Sequence, residues 1–393
     1  MPEVLVVGAG PVGLLLAGEL RRRGIDVELL DQRPQASPGS RAIGIHPPVL
    51  AALEASGLTE RLLEGAVRVT RGEARSAGQV VGAVRFDQIS ARLNSARFPF
   101  VATLPQAVTE GLLGAGAPSP ERGVRVTGIL SGDHHVQVHT DAGERRAAVT
   151  VLAGGAHSRH LVYARPEAYE YPDRYLMTDA HTPNSADEST AVVHLDADGV
   201  LESFPLPGQR RRFVAWDAPG ASSEPVQMRA RLSRALEGRE EADVDEVSGF
   251  GVRRFVAPRL RNGRVFVIGD AAHEVSPIGG QGMNLGLLDA ATLAPLIASW
   301  VRTGTVADTE LQHWEQSRLR SARRAAALAG LNTRLGRPAK EPLNAARRNL
   351  VRAMLGPGTG RIFARAYGMG FDLDAAPPRR RPAVGGIGRT PIK

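Results

Sequence analysis

Three glycines near the start of the chain have the spacing of a phosphate-binding loop. Gly8, Gly10 and Gly13 stand in the run GAGPVG, with Pro11 and Val12 between them. The loop joins the apolar run EVLVV to a leucine-rich helical pattern, which is the context that gives this spacing meaning. Gly8 allows a tight turn, Gly10 lets a pyrophosphate approach the backbone, and Gly13 lets the helix pack on the sheet. We therefore expect the N–H groups at the start of this helix to hold a pyrophosphate.

Asp31 is the carboxylate that belongs with this loop. It ends the run IDVELLD, which predicts a second strand, and it lies 18 residues after Gly13. In this position a carboxylate accepts hydrogen bonds from ribose hydroxyls. The strand, glycine loop, helix and second strand together predict a βαβ unit.

A second glycine loop follows a buried strand late in the chain, at residues 263–290. Asp270 is predicted to end that strand, where a carboxylate needs partners. Gly279, Gly280 and Gly282 open a helix from Met283, so an anionic or electron-rich group is favoured at its N-terminus. His273 has no second ligand at a helical offset, so we expect a structural role for it and no metal.

The run VLAGGAHSRH at residues 151–160 raises a different question. A buried strand, residues 149–153, runs into Gly154 and Gly155. A strand that ends on two glycines brings its backbone close to another group. The sequence therefore predicts a close approach at this turn.

The remaining pattern predicts an α/β protein with two domains, since single cores stop growing at roughly 250–300 residues and the chain has 393. Helical patterns cover 47–66 and 105–115, strand patterns dominate 167–257, and 309–353 is largely helical. The tail from about 375 is rich in Pro, Gly and Arg, which is typical of disorder.

Composition excludes several classes of function. The chain has no cysteine, so disulfides, thiol catalysis and iron–sulfur clusters are excluded. Its net charge of +8 comes from scattered arginines, and aromatic residues make up only 5%, so we expect no nucleic-acid partner. We identify no signal peptide and no apolar run of the roughly 18–20 residues that span a bilayer. A cytoplasmic location is expected.

At this point the chain resembles a known family, the FAD-dependent aromatic hydroxylases of the para-hydroxybenzoate hydroxylase type (class A flavoprotein monooxygenases). The stretch GDAAHEVSPIGGQGMN is similar to the family's second FAD motif, and the resemblance extends over about residues 1–335, including SRAIGIHPPVLAALEASGL, LPQAVTEGLL and LQHWEQSR. In style the chain is most similar to aromatic-polyketide hydroxylases and tetracycline-modifying monooxygenases.

The resemblance implies a Rossmann-like FAD-binding domain with an inserted mixed α/β substrate domain and C-terminal helices. The FAD-binding domain would comprise residues 1–71, 98–166 and 258–334, and the substrate domain 72–97 and 167–257. Residues 335–374 would form C-terminal helices, followed by a disordered tail at 375–393. The chain is expected to end before the thioredoxin-like domain of larger relatives.

The resemblance also implies a set of contacts. Asp31 would hold the adenosine ribose, Arg41 and Gln106 the phosphate and ribitol region, and Asp270 the ribitol. The loop from Gly279 to Asn284 would cover the pyrimidine edge of the isoalloxazine. The whole implied FAD set is Gly8, Gly10, Pro11, Val12, Gly13, Asp31, Gln32, Arg33, Arg41, Gln106, Val126, Gly154, Asp270, Pro277, Gly280, Gln281, Gly282, Met283 and Asn284.

The substrate side is less defined. Candidates that face it are His46, Tyr175, Pro277 and Ile278, together with residues of the strands at 190–216. No catalytic acid or base is assigned. His46 is also readily explained as a structural histidine.

The chain departs from the family at the mid-chain turn. The family carries Asp-Gly-x-x-Ser-x-x-Arg, whose Asp and Arg are implicated in FAD and NAD(P)H binding. Here Gly155 and Ser158 keep the Gly and Ser, but Gly154 and Leu161 stand where the Asp and Arg belong. Neighbouring residues could compensate, nicotinamide preference or the source of electrons could differ, or redox function could be lost.

The implied reaction is insertion of one oxygen atom from dioxygen into a phenolic, polyketide-like aromatic substrate. It would proceed through a flavin C(4a)-hydroperoxide, with NADPH or NADH as reductant and the enzyme a monomer or homodimer. Baeyer–Villiger oxidation or epoxidation on the same fold stays open. So does a different class, a flavin-binding protein without nicotinamide, such as an assembly partner or a non-redox cyclase.

Overall fold

A computed structural model describes residues 1–36, 42–86, 97–182, 188–356 and 358–372. Three expectations fall wholly or partly outside these residues. They concern Arg41, most of the second half of the 72–97 segment, and the tail at 375–393.

The described residues form twenty strands and nine α-helices. The strands are β1 Val4–Val7, β2 Val27–Asp31, β3 Gly44–Ile45, β4 Val67–Val69, β5 Arg71–Ser76, β6 Gln79–Arg85, β7 Val101–Thr103, β8 Glu121–Arg122, β9 Val126–Ser131, β10 Val136–Thr140, β11 Gly143–Ala147, β12 Val149–Leu152, β13 Tyr169–His181, β14 Thr190–Asp196, β15 Gly199–Leu206, β16 Arg210–Asp217, β17 Ser248–Val256, β18 Arg261–Asn262, β19 Val265–Val267 and β20 His273–Glu274. The helices are α1 Pro11–Arg22, α2 Pro47–Leu53, α3 Leu58–Glu64, α4 Gln106–Gly114, α5 Pro225–Leu236, α6 Gly282–Thr303, α7 Asp308–Leu335, α8 Leu343–Leu355 and α9 Gly360–Tyr367.

The first sheet has six strands in the order β18-β19-β12-β1-β2-β8. It is parallel from β19 to β8, and Val4 of β1 lies opposite Val149 and Val27 of its two neighbours. The central strands are continuous apolar runs because both faces of a parallel sheet are buried. The predicted βαβ unit is therefore confirmed, and the mid-chain strand enters the same sheet.

The second sheet has eight strands in the order β20-β17-β13-β16-β15-β14-β5-β6. The hairpin of β5 and β6 joins it through a parallel pairing in which Gly72 lies opposite Ala191. One face carries Leu176 and Phe213, which form a core cluster with Leu232 and Leu236 of α5. The opposite face is left for the cavity described below.

Two smaller sheets complete the strands, in the orders β3-β7-β4 and β11-β10-β9. The helical pattern predicted for 47–66 is interrupted. α2 ends at Leu53, and Gly57 takes a left-handed φ of 73° before α3 begins. Glycine permits this backbone at little cost, so one predicted helix becomes two.

Helix α6 contradicts the expectation that the chain has no apolar run long enough to span a bilayer. Over Gly282–Thr303 it is long and apolar enough to cross a membrane by length and composition alone, and 67% of its apolar window is buried inside the protein. The helix contacts α1, α2 and α7. The apolar run is therefore longer than the sequence analysis allowed, and its side chains pack in the core.

The C-terminal helices close against the second sheet. Both α8 and α9 contact β6. A Cβ atom on Gly82 would lie only 2.7 Å from the Cβ of Leu355, so glycine allows α8 to approach the strand closely. The predicted α/β architecture, a parallel sheet with a second mixed domain and C-terminal helices, is confirmed.

Candidate functional site

One cavity of about 1200 Å³ is lined by both main sheets. Part of its wall consists of residues that follow the parallel strands β1, β2 and β12, and another part is the open face of the eight-stranded sheet. Ligands of open α/β sheets bind outside the carboxyl ends of the strands. The volume exceeds the roughly 300–1,000 Å³ of ordinary ligand pockets, so a large cofactor and a substrate fit together.

The first glycine loop borders this cavity as a side-chain-free surface. A Cβ on Gly8 would lie 2.5 Å from the carbonyl oxygen of Ala153, and one on Gly13 would lie 1.8 Å from that of Gly8. Gly8 also has a left-handed φ of 110°. Within the described residues, by contrast, no atom lies within 4 Å of a Cβ built on Gly10, which lines the cavity. Gly8 and Gly13 are thus fixed by packing, and Gly10 leaves backbone open toward a ligand.

Pro11 and Val12 place the start of α1 at the cavity. Both line it, and Pro11 occupies the first helical position, where proline is favoured. A Cβ on Gly286 would lie 2.5 Å from a Val12 methyl group, and one on Gly269 would lie 3.3 Å from it. Val12 therefore seats the first glycine loop against the second motif.

Asp31 is buried beside the loop and already has partners. Its carboxylate accepts hydrogen bonds from the Ala9 N–H at 2.8 Å, from the Arg33 N–H at 2.8 Å and from the Arg33 guanidinium at 2.9 and 3.1 Å. Burial opposes ionisation, but these hydrogen bonds outweigh it and hold the pKa of Asp31 below its ordinary value. A ribose hydroxyl must share these oxygens or displace Arg33, whose side chain is 39% exposed. Gln32 and Arg33 also line the cavity.

Gln106 and Val126 line the cavity as well. Gln106 begins α4, accepts a hydrogen bond from the Ala42 N–H at 3.3 Å and donates one to Glu110 at 2.6 Å. The position of Arg41, the other residue predicted for this region, lies outside the described residues.

The second motif contributes a carboxylate and an open loop. The prediction that Asp270 ends the buried strand is wrong, because β19 stops at Val267 and Asp270 lies in a short 3-10 helix, Gly269–Ala271. Asp270 is exposed and lines the cavity. Four further predicted residues line the cavity with it: Pro277, Gly280, Gly282 and Met283.

Gln281 and Asn284 are buried and hold this loop in place instead of lining the cavity. Asn284 accepts a hydrogen bond from the His46 N–H at 2.8 Å and donates one to the Gly44 carbonyl at 2.8 Å. The Gln281 amide donates to the Ala366 carbonyl at 2.9 Å. The loop is therefore tied to the first domain at one side and to α9 at the other.

A buried network of three charged side chains, those of Asp289, His273 and Arg318, packs against the second motif and stabilises it. Asp289 accepts hydrogen bonds from the Gly269 N–H at 3.1 Å and from Arg318 at 2.9 Å, and it lies 2.5 Å from His273. All three charged side chains are 0% exposed. Burial opposes protonation of His273, but Asp289 outweighs it and raises the pKa of the imidazole. His273 thus has the structural surroundings that the sequence favoured, and no metal-binding group was found among the described residues.

The mid-chain turn packs directly on the first glycine loop. A Cβ on Gly8 would lie 2.6 Å from the Cα of Gly154, and one on Gly154 would lie 2.9 Å from the Ser158 side chain. Gly155 has a left-handed φ of 74°, and the Ser158 hydroxyl donates to its carbonyl at 2.8 Å. An aspartate at position 154 would displace Ser158. Gly154 therefore accommodates the close approach that the sequence predicted, and Gly155 supplies the left-handed backbone of the turn.

Arg159 joins this turn to the second motif. It is 5% exposed, it donates to the Asp270 carbonyl and to the Glu274 carboxylate, both at 2.8 Å, and its guanidinium lies 4.3 Å from the Phe255 ring centroid. Leu161, at the position of the expected arginine, lines the cavity. Sequence reasoning assigned Arg159 no role, because partners more than a hundred residues away cannot be recognised from a local motif.

The open face of the eight-stranded sheet supplies an apolar wall. Alternate residues of its strands point to the cavity, as the pleat requires. The wall includes Met177, Ala191, Val193, Leu195, Val200, Phe204, Val214, Phe250 and Val252. Such a surface fits an aromatic ring system.

The predicted substrate residues fare differently. His46 and Ile278 line the cavity, and burial lowers the pKa of His46 to about 4, so this imidazole is neutral at pH 7. Tyr175 is fully buried with its ring stacked on Phe250 at 5.9 Å, and it is not among the residues that line the cavity.

Glu202 is a functional candidate that sequence reasoning did not single out within the strands at 190–216. It lies on β15 opposite Val193 and Val214, between Val200 and Phe204 on the same face, and it lines the cavity at 5% exposure. Burial raises its pKa to about 8. The sequence places this acid inside the apolar run GVLESFPL. Which face of the strand is buried depends on strand pairings, however, and these cannot be read from the sequence.

We expect Glu202→Gln to change the pH dependence of stability. Between an ordinary carboxyl pKa of 4.5 and about 8, the folded chain keeps a proton that the unfolded chain releases. The free energy of unfolding therefore falls as pH rises through this interval, and the slope ends above it. The melting temperature of Glu202→Gln minus that of the wild type should grow from pH 4.5 to pH 8. If the melting temperatures of Glu202→Gln and of the wild type instead change in parallel between pH 4.5 and pH 8, the Glu202 carboxyl group does not have a raised pKa.

Comparisons with known proteins agree with this geometry. A family model described as "FAD binding domain" matches residues 1–329. The 6-methylpretetramide 4-monooxygenase of Streptomyces rimosus is 32% identical over 400 residues, which cover 96% of this chain and 71% of that protein.

Solved structures show the same fold. The p-nitrophenol 4-monooxygenase of Pseudomonas putida superimposes with a TM-score of 0.84 at 23% identity, covering 97% of this chain and 99% of that one. The anhydrotetracycline hydroxylase of Streptomyces rimosus gives a TM-score of 0.74 at 26% identity, covering 94% of this chain and 76% of that one.

Proposed function

The chain belongs to the FAD binding domain family and is a flavin-dependent monooxygenase, and from this premise we propose that it inserts one oxygen atom of dioxygen into a polycyclic phenol. The observation that carries the proposal is the continuity of the cavity. The same space borders two glycine loops and a largely apolar sheet face that carries the carboxyl groups of Glu202 and Glu73. By their names, the relatives described above act on 6-methylpretetramide, p-nitrophenol and anhydrotetracycline.

The cavity fits FAD. The open backbone at Gly10, the carboxylates of Asp31 and Asp270, and two helix N-termini at its wall match a ligand with phosphates and hydroxyls. We propose that the pyrophosphate lies at Gly10 and the start of α1, the adenosine ribose near Asp31, and the ribitol near Asp270. The remaining cavity-lining members of the proposed set are Gly8, Pro11, Val12, Gln32, Arg33, Gln106, Val126, Gly154, Pro277, Gly280, Gly282 and Met283.

FAD, when bound, supplies the redox chemistry that accepts electrons from NAD(P)H and activates dioxygen. The chain's residues have the tasks of orienting the substrate and excluding water. The apolar wall, which includes Val193, Val214 and Phe250, both orients the substrate and excludes water. His46 is neutral, so it adds no charge near the loop at Gly280. Asn284 holds that loop against His46.

We propose that the reductant still reaches the flavin although Gly154 and Leu161 replace the family's acid and base. The support is Arg159, whose guanidinium links the altered turn to Asp270 and Glu274. Whether NADPH or NADH is the reductant is part of this proposal, and the anaerobic reduction experiment described below compares the two nucleotides.

We expect Arg159→Lys to weaken FAD binding about tenfold. Lysine keeps the charge but cannot span both acceptors, and a hydrogen bond to a charged group contributes about 1.5–3 kcal/mol. FAD titration of the apoprotein measures the change. Arg165→Lys, at an exposed position of the following segment, is the control and should bind FAD as the wild type does. Equal affinities for both variants would remove Arg159 from the proposed site.

We further propose the domain boundaries given above, supported by the membership of β5 and β6 in the same sheet as β13 to β17. A monomer or homodimer in the cytoplasm, without nucleic-acid or membrane partners, is proposed as the working form. The scattered arginines and the cytoplasmic supply of NAD(P)H support it.

Anaerobic reduction tests the proposal. The FAD-loaded protein is mixed with NADPH or NADH, with and without polycyclic phenols, and the flavin absorbance is followed. Bleaching by either nucleotide is expected, faster when a phenol is present. If neither nucleotide bleaches the flavin under any of these conditions, the proposal of a hydroxylase that is reduced by NAD(P)H is wrong. The alternative, a flavin-binding protein that acts without nicotinamide, is then favoured.

A further inference from the structure

Glu202 is a carboxyl group without a polar partner on the cavity wall. Across the described residues, no hydrogen bond or ion pair reaches it, although it is only 5% exposed. Glu73 of β5 lines the same cavity but is paired with Arg71 and Arg75 at 2.7 Å each. A buried carboxyl group without a partner is costly, so a ligand that donates a hydrogen bond would relieve it.

Tyr367 relates Glu202 to the second glycine loop. The charge of Glu202 adds to the burial that raises the pKa of Tyr367 to about 12, so the two side chains interact electrostatically. The Tyr367 hydroxyl donates to Asn332 at 2.9 Å, and the Asn332 amide would lie 3.1 Å from a Cβ on Gly279. Glu202, Tyr367 and Gly279 thus line the same cavity, and the loop that begins at Gly279 is the one that the resemblance places over the pyrimidine edge of the flavin.

Building on the function proposed above, we propose that Glu202 is the base that accepts the proton of the substrate's phenolic hydroxyl. Its neighbours Val193 and Val214 are apolar, so an aromatic ring packs there with its hydroxyl toward the carboxylate. An ionised phenol donates electron density into its ring, which favours attack by an electrophilic oxygen at the ortho or para carbon.

The proton transfer balances without a further reactant. The O–H bond of the phenol breaks and an O–H bond forms on the Glu202 carboxylate, with no change of oxidation state. The established activity then supplies the oxygen atom to the ring carbon. That carbon loses its hydrogen as a proton to water, and Glu202 returns its proton to the ketonic oxygen, which restores an aromatic diol and the carboxylate.

The surroundings of Glu202 suit a base. Burial raises its pKa to about 8, closer to a phenol's pKa of about 10, and a better match of pKa favours proton transfer. The titratable groups that interact electrostatically with Glu202 are Tyr175 and Tyr367, whose pKa values burial also raises. On the cavity face of β16, Arg212 is held by Asp179 at 2.6 and 2.7 Å.

Kinetics of Glu202→Gln with 2-naphthol test the proposal. We expect kcat to fall about 100-fold with little change in KM, since general-base catalysis contributes at least this much. In the wild type kcat/KM should rise with pH through about 8, whereas the variant should follow the ionisation of the naphthol itself. The loss should shrink across ring-halogenated naphthols of lower pKa. An unchanged rate and pH profile, or a loss independent of naphthol pKa, overturns the proposal.

Glu73→Gln is the matched control, because it removes a paired carboxylate from the same cavity. Whatever its absolute rate, its pH profile should keep the rise through about 8. Loss of that rise in Glu73→Gln but not in Glu202→Gln would assign the base to Glu73 and overturn the proposal. Glu202→Asp should retain the rise at a reduced rate, which separates loss of the base from misfolding.

A binding measurement separates this proposal from the function itself. Across pH 8 the affinity of the wild-type holoenzyme for neutral 2-naphthol should shift to higher values, because the ionised carboxylate accepts a stronger hydrogen bond from the phenolic hydroxyl than the neutral carboxyl group does, and Glu202→Gln should abolish the shift. The shift without turnover by any reductant supports Glu202 as proton acceptor and contradicts the hydroxylase function. Turnover without the shift overturns the role of Glu202 alone.

Discussion

Replacing Gly13 by alanine is expected to give a folded protein that purifies without FAD. A Cβ at this position would lie 1.8 Å from the Gly8 carbonyl oxygen, so the glycine loop must move. Overpacking of this kind costs typically 1–3 kcal/mol, and at the pyrophosphate site it weakens binding by roughly tenfold to a hundredfold. The ratio of flavin absorbance to protein absorbance, before and after FAD addition, measures the loss.

Gly111→Ala is the matched control for Gly13→Ala. Gly111 also lies inside a helix, α4, and no described atom lies within 4 Å of a Cβ built there. Alanine is favoured over glycine in a helix by about 0.5–1 kcal/mol, so this variant should keep its flavin and its stability. A yellow Gly13→Ala protein with wild-type affinity would show that the loop does not bind the pyrophosphate.

Replacing Asp289 by asparagine is expected to cause the largest loss of stability. The substitution removes the counter-charge of His273 and leaves Arg318 to the more distant Asp372 at 3.6 Å, and breaking such a buried pair costs about 3–5 kcal/mol. The Gly269 N–H would also lose its carboxylate acceptor, so the loop before Asp270 should loosen. Denaturant unfolding of the apoprotein measures the free energy without a contribution from FAD.

Asp308→Asn serves as the comparison for Asp289→Asn. Asp308 pairs with Arg261 at 2.7 Å, but its side chain is 74% exposed. Exposed pairs contribute about 0–1 kcal/mol, so this variant should unfold almost as the wild type does. Equal losses for the two variants would mean that the buried network carries no special stabilisation.

The parts of the site that the sequence predicted are those in which glycines let backbone segments pack closely or leave backbone open toward the cavity. Gly8, Gly10 and Gly13 could be assigned separate tasks because each glycine removes a specific clash, and the structure shows two of those clashes directly. The central strands could be predicted for a similar reason, since short buried runs such as VLVV and VTVL suit strands covered on both faces.

The parts that could not be predicted depend on contacts between distant residues. Tyr175 was expected at the substrate, but it stacks on Phe250 of a strand about 75 residues away. Arg159 and Glu202 gained their surroundings in the same way, the first from Asp270 and the second from neighbouring strands. Local spacing identifies a loop that binds phosphate, but it does not identify a side chain whose environment is assembled by the tertiary fold.

Oxygen incorporation tests the central claim most directly. The FAD-loaded protein is supplied with NADPH or NADH, a panel of polycyclic phenols and isotopically labelled dioxygen, and the products are weighed by mass spectrometry. We predict a product that has gained one oxygen atom, carrying the label from dioxygen and not from water. Consumption of the nucleotide without any labelled product across the panel would contradict the assignment as an aromatic hydroxylase.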